Sequence, residues 1–388
     1  TVESPAVTLR HVDLSHRLGR YDDAIAGSQA LLASNDTMPP AVIQEALYRL
    51  GEAQTRNTQF REALGTFDQL QEDHPINPYR QAVDLRRGLL LNQLGRTDES
   101  MAVLLESAND ARLPTPKRVA ALRIIAAHLR DADRPDDSAV TLRRIEQLAG
   151  LEALDDAELL WLGNYEVERN EPAAAIKTLG AFDGRKRMLT GVAESEALFT
   201  RGRAYYMLDE LENAHRSFFG VVALDRGFAL DARLFLARTE AKQGNLDAAL
   251  LELSGLAQAD DGRIVAESLY EAGKVHRQRA DLLRRRGNST ASQESLLAAR
   301  ASIKRMVVLY LTVDALQPLP QQGLVAALEI ADELGEPDAV TKELNELIRA
   351  FPDSPYAEYG RALLDEKQRQ RPDDALVRLN RLDVDTLD

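Results

Sequence analysis

The chain contains no cysteine in 388 residues. That excludes disulfides, thiolate metal sites, cysteine nucleophiles and iron–sulfur clusters together. Aromatic residues make up only 5% and tryptophan occurs once, so an aliphatic core of Leu and Ala is expected. No apolar run approaches the roughly 18 to 20 residues that a membrane-spanning helix needs. Lysine is scarce, 8 against 40 arginines, and the cations are outnumbered by 62 carboxylates, for a formal charge of −14. Such a balance argues against nucleic acid as a ligand, because neutralising phosphates takes a basic surface. The arginine excess itself is accounted for by GC-rich coding.

Catalytic signatures are missing as well. No G-x-G-x-x-G, G-x-x-x-x-G-K-[ST] or G-x-S-x-G occurs, so neither a phosphate cradle nor a nucleophile elbow has support. The six histidines (His11, His16, His74, His128, His215 and His276) do not form an i, i+4 metalloprotease pair. Asp260 and Asp261 stand side by side without the alternating oxygen ligands of a calcium loop, and read as a turn. We therefore expect no cofactor, no metal and no catalysis. Beginning at Thr1 rather than Met, the chain is expected to be a processed or trimmed form. Membrane contact is then expected only through a partner or a removed N-terminal anchor.

What is present is a period. A helix-breaking residue is followed two positions on by an apolar residue, Thr or Pro, then by polar positions and a small residue. The phrase runs Gly19-Arg20-Tyr21-Asp22-Asp23-Ala24, then Thr58-Gln59-Phe60-Arg61-Glu62-Ala63, then Gly95-Arg96-Thr97-Asp98-Glu99-Ser100. It returns from Asp133, Asn170, Asp209, Gly244 and Gly335, with a degenerate copy at 371–375. The small residue recurs at 24, 63, 100, 138, 175, 214 and 249, at intervals of 39, 37, 38, 37, 39 and 35. From 249 to 340 there is room for two units plus an insertion. Mechanically, Gly, Asn or Asp ends one helix in a left-handed cap, and Pro or an acidic residue opens the next. Upstream, a first helix carries a central small residue, at 51, 88, 126, 163, 202 and 237, each seven residues before its turn. Helix, turn and helix, about ten times over, predict an α-solenoid.

These residues resemble the tetratricopeptide repeat family. The second repeat shows it most clearly, with Leu47, Leu50, Gly51, Phe60, Ala63, Phe67 and a closing Pro75; the sixth gives Leu198, Gly202, Tyr205, Ala214 and Phe218. The resemblance implies an all-α fold, a right-handed superhelix over residues 1–379 with a tail at 380–388. One unit is irregular, an extended repeat at about 264–310, where a first helix runs on through Arg286 and Gly287-Asn288-Ser289-Thr290 interrupts it. The linkers Asp73-His74-Pro75-Ile76-Asn77-Pro78-Tyr79 and Phe351-Pro352-Asp353-Ser354-Pro355-Tyr356 are similar to a phrase in bacterial envelope proteins with these repeats. That favours a periplasmic or cell-envelope home, with the cytoplasm as the alternative.

In that family the first helices line a groove, and ligands face the positions three before, one after, four after and five after the central small residue. The resemblance therefore implies a peptide-binding set of Phe199, Arg203, Tyr206, Met207, Arg238, Lys242, Tyr270, Lys274 and Arg277. Cations among aromatics suit an acidic, partly apolar peptide. The alternative is that Arg and Lys lie over helix faces while Tyr and Phe pack between repeats. A second basic run, Arg277, Arg279, Arg284, Arg285 and Arg286, either meets anionic lipid or an acidic partner or is simply solvated. The expected role is a non-catalytic scaffold for a protein or peptide partner in a bacterial envelope assembly. The alternatives are a self-associating subunit of a larger complex and a helical regulatory arm of an enzyme.

Overall fold

The computed structural model describes residues 4–34, 38–183 and 191–368. Among the described residues every regular element is a helix. The degenerate phrase at 371–375 and the expected tail at 380–388 lie outside them.

The chain packs as two compact units, Thr1–Tyr165 and Glu166–Asp388, divided inside a helix that the period treats as ordinary. The first unit holds α1 (Pro5–Arg17), α2 (Tyr21–Leu32), α3 (Pro40–Arg56), α4 (Phe60–Asp73), α5 (Arg80–Gln93), α6 (Thr97–Asn109), α7 (Thr115–Asp131), α8 (Pro135–Ala149) and most of α9 (Asp156–Glu168). The second continues with α10 (Pro172–Gly180), α11 (Val192–Met207), α12 (Leu211–Leu224), α13 (Ala229–Gln243), α14 (Leu246–Leu256) and α15 (Gly262–Arg285). It closes with α16 (Ser289–Tyr310), α17 (Leu319–Glu333), α18 (Pro337–Ala350) and α19 (Pro355–Gln368). Within each unit, successive helices pack one on the next, as expected of an α-solenoid.

The turn phrase has one backbone form throughout. Gly19, Thr58, Gly95, Asp133, Asn170, Asp209, Gly244 and Gly335 all have φ between 54° and 87°. The next residue then donates its N–H to the carbonyl five positions earlier, as Arg20 does to Ser15 and Glu210 to Tyr205. This is the bonding of a Schellman cap, which satisfies carbonyls left open at the helix end. Gly287 adopts the same form (φ 78°) and Asn288 bonds Leu283 in the same way, so the 249–340 interval holds two turns, at 287 and 335. Pro135, Pro172 and Pro337 each begin the following helix, where a missing N–H costs nothing. Pro355 likewise opens α19, whereas after Pro78 a turn closed by Asn77 intervenes and α5 begins at Arg80.

Five residues after each turn, the small side chain is buried: Ala24, Ala63, Ser100, Ser138, Ala175, Ala214 and Ala249 are fully enclosed. The central glycines of the first helices face a large side chain four residues further along. A methyl group on Gly51 would lie 2.5 Å from the Phe67 ring, and one on Gly202 would lie 2.6 Å from the Phe218 ring. Glycine lets the two helices close down on those rings, and both rings are fully buried.

The α15–α16 hairpin follows the same rules at greater length. Gly51 meets Phe67, Gly88 meets Leu104 and Gly202 meets Phe218, each sixteen residues apart; Gly273 meets Ile303, thirty apart. Fourteen residues have been added, seven to each helix. They build a second layer of their own: Ser292 Oγ bonds the Ala280 carbonyl at 2.9 Å, as Ser100 bonds Gly88 (2.8 Å) and Ser138 bonds Ala126 (2.9 Å). Ala280 thus occupies the place seven before the turn, and it is fully buried.

Candidate functional site

The nine residues expected to line a groove fall in the second unit, and the structure gives them different fates. Phe199 is core. Its ring stacks on Phe228 (centroids 5.1 Å apart) and meets Phe218 and Phe235 edge-on or tilted, which leaves it 8% exposed. The reason is Phe228, which stands just before α13 and covers the face that the repeat pattern assigns to solvent. Met207 is 40% exposed, and Arg203 has no ion pair among the described residues. Tyr206 stands edge-on to Phe235, with the Lys242 ammonium 4.3 Å from its ring centre. Burial raises the Tyr206 hydroxyl pKa, and the nearby Lys242 opposes that shift.

The remaining cations are engaged within the chain. Lys242 pairs with Asp209 at 3.2 Å. Arg238 lies 5.0 Å from the Phe235 ring centre and bonds Glu271 (2.9 Å) and Glu267 (3.1 Å). Lys274 shares Glu271 at 3.1 Å, and Arg277 holds both Glu329 (2.5 Å) and Glu333. Although burial works against its charge, the Glu329 hydrogen bond and the two carboxylate charges keep the Arg277 guanidinium above its usual range. Most of these pairs join one repeat to the next. The same stitching occurs in the first unit, where Arg86 bonds Glu52 (2.5 Å) and Arg123 bonds Glu158 (2.8 Å).

Three of the nine nevertheless converge. Arg238, Tyr270 and Lys274 line a cleft of about 580 Å³ whose far wall is the segment linking α16 to α17, Ala315 through Leu319. One side is charged, with Arg238, Arg263 and Lys274 interleaved with Glu267 and Glu271; the other is mostly apolar, with Ala315, Leu316, Pro318 and Leu319. Arg263 bridges Asp231 (2.7 Å) and Glu267 (2.9 Å), which fixes the charged wall at a second point. Tyr270 also lines the cleft, and burial, with the Glu271 charge adding to it, pushes its hydroxyl up to about 12. It stays a neutral phenol at any physiological pH. Sequence reasoning missed Arg263, Glu267, Glu271 and the linker wall. A signal for the carboxylates was available: opposite charges about one repeat apart, as in Arg238 and Glu271 at 33 residues or Asp231 and Arg263 at 32.

Among the described residues, no group of three or more His, Asp and Glu side chains is placed to hold a metal ion. No helix among them is long and apolar enough to cross a membrane.

Comparison with known proteins gives one family match and distant structural likenesses. The sequence model for the tetratricopeptide repeat matches residues 45–75, the α3–α4 hairpin. No curated relative matches the chain. Among solved structures, a tetratricopeptide repeat protein from Parabacteroides merdae is 10% identical, with 72% of this chain and 98% of that one covered and a TM-score of 0.36. The hetero-tetramer Cut9–Hcn1 of the APC/C is 13% identical, with 97% and 86% covered and a TM-score of 0.40. The C-terminal part of a repeat-containing protein of this type from Cytophaga hutchinsonii is 13% identical, with 81% and 98% covered and a TM-score of 0.32.

Proposed function

We propose that this chain of tetratricopeptide repeats is a non-catalytic scaffold that holds an extended segment of a partner protein in the Arg238–Leu319 cleft. Its fold is one that generally serves protein interaction. The observation that carries the reading is the cleft's two unlike walls, one of alternating charge and one apolar. An extended peptide presents its side chains alternately to opposite sides and can satisfy both. Lys274 supports a role for a carboxylate on that peptide: it is 57% exposed, and an ammonium has three donors, so Glu271 does not exhaust it. The partner is then a segment with an apolar anchor next to an acidic residue. A bacterial envelope setting draws its support from the two linker phrases alone; fractionation of source cells tests it.

Selection from a displayed library of random peptides tests the cleft. Wild type is expected to enrich sequences with an apolar residue beside Asp or Glu. Ala315→Trp, which fills the cleft from an exposed position on its wall, and Lys274→Glu are expected to lose them. Enrichment that survives both substitutions, or none with wild type, would overturn the proposal.

A further inference from the structure

The added layer of the α15–α16 hairpin lies beyond what the solenoid needs. Two contacts fix its direction. Arg238, one residue after its central Ala237, bonds Glu271, two before Gly273. Arg86, two before Gly88, bonds Glu52, one after Gly51, in the same register. Likewise Arg279 reaches Asp247 (3.1 Å) as Asn57 reaches Asp22 (2.8 Å), each linking the sixth residue after a central glycine to the third after the preceding turn. Gly273 is therefore level with the central residue of the preceding repeat, and Arg279 is level with its turn. Everything from Ala280 through the tip projects past that turn, by about 10 Å for seven helical residues.

The projecting part is basic on an acidic protein. From Ala280 to Glu294 there are three arginines, Arg284, Arg285 and Arg286, against two carboxylates, Asp281 and Glu294, and Arg277 and Arg279 stand just below them. Arg277 and Arg284, seven apart, face α17 and are both held by Glu333 (Arg284 at 3.2 Å). Arg279, Leu282 and Arg286 form a different stripe at i, i+3 and i+7. Leu282 is 38% exposed, and Arg285 and Arg286 are exposed with no ion pair among the described residues. An apolar side chain is thus flanked along one helix by two guanidiniums, on a shelf above the preceding turn.

We propose that this shelf is a second docking site, separate from the cleft, and that it takes an acidic amphipathic helix of a protein partner. The recognising pattern is the complement of the stripe: an apolar residue flanked by carboxylates at i−3 and i+4. Arginine suits this because its fork grips a carboxylate bidentately. One exposed leucine, with Asp281 and Glu294 close by, is a poor foot for a bilayer, which rewards a broad apolar face.

The probe is a fluorescein-labelled peptide with two copies of Glu-Ala-Ala-Leu-Ala-Ala-Ala-Glu, titrated by anisotropy. Wild type is expected to bind it, more weakly as salt rises, and Arg285→Glu/Arg286→Glu is expected to weaken binding by roughly tenfold or more. Arg285→Lys/Arg286→Lys should retain part of it, and circular dichroism should show all three proteins equally helical. Three results would overturn the proposal. One is equal binding by wild type and the Glu variant. Another is no binding by wild type while the Glu variant is merely less stable, which would leave the arginines to complement the α15 dipole. The third is sedimentation with phosphatidylcholine vesicles doped with phosphatidylglycerol in preference to peptide binding.

Discussion

Two sets of cations on the second unit look alike in sequence and differ in structure. Arg238, Lys274 and Arg277 sit opposite carboxylates of their own or the next repeat. Arg285 and Arg286, at the far end of the helix that carries Lys274, project past the preceding turn and meet no carboxylate among the described residues. A cation on a solenoid is therefore defined by what the neighbouring repeat places across from it. The first set closes repeat onto repeat, and the second is left for something outside the chain.

Removing a paired arginine should show the largest difference. Arg277→Ala leaves the half-buried Glu329 without its partner beside the more exposed Glu333, and should cost about 1 to 2 kcal/mol in urea unfolding, while Arg285→Ala should stay within about 0.5 kcal/mol. Equal costs would erase the distinction between the sets. Lys242 is the intermediate case, with an exposed pair to Asp209 and a place over the Tyr206 ring. Lys242→Ala should lose about 0.5 to 1 kcal/mol, and most of that loss should persist in high salt, since contact with a ring is screened less than an exposed ion pair.

The smallest effect concerns His276, at the base of the projecting hairpin. Burial, with the Arg279 charge adding to it, lowers its pKa from 6.5. The folded state then binds this proton less readily than the unfolded chain. Its contribution to stability is complete above pH 6.5 and is lost as pH falls through the lower folded value. His276→Gln should flatten the fall of melting temperature between pH 7 and 5. An unchanged slope would show that the histidine is solvated in the folded protein.

The turns were the most legible part of the chain. Each depends on a residue tolerating positive φ and, except at Gly335 where Val340 follows, on a small residue five positions later, and both are local properties of the sequence. Thr58 alone was a less natural choice, since a β-branched residue rarely takes φ 59°; the register of its neighbours identified it. The site was less legible because its chemistry is not local. Nothing near Arg238 or Arg277 reveals that Glu271 or Glu333 will face it, and nothing near Phe199 reveals the Phe228 ring. The linker wall at 315–319 carries no motif at all. The basic run at 277–286 was visible, but the projection that separates Arg286 from Arg277 required knowing which layer of the hairpin Gly273 occupies.

That layer also sets a ruler for the fold. Seven residues advance an α-helix by about two turns and fall short of closing by only about 20°. Adding seven to each side of a hairpin therefore returns the buried stripe to almost the same phase, which is why Ala280 can meet Ser292 and Gly273 can still meet Ile303. An insertion of four would shift that phase by about 40° and one of three by about 60°. Hairpin length in this architecture can thus grow by a heptad on each side, which carries the tip outward while Gly273 keeps a large aliphatic partner at the base.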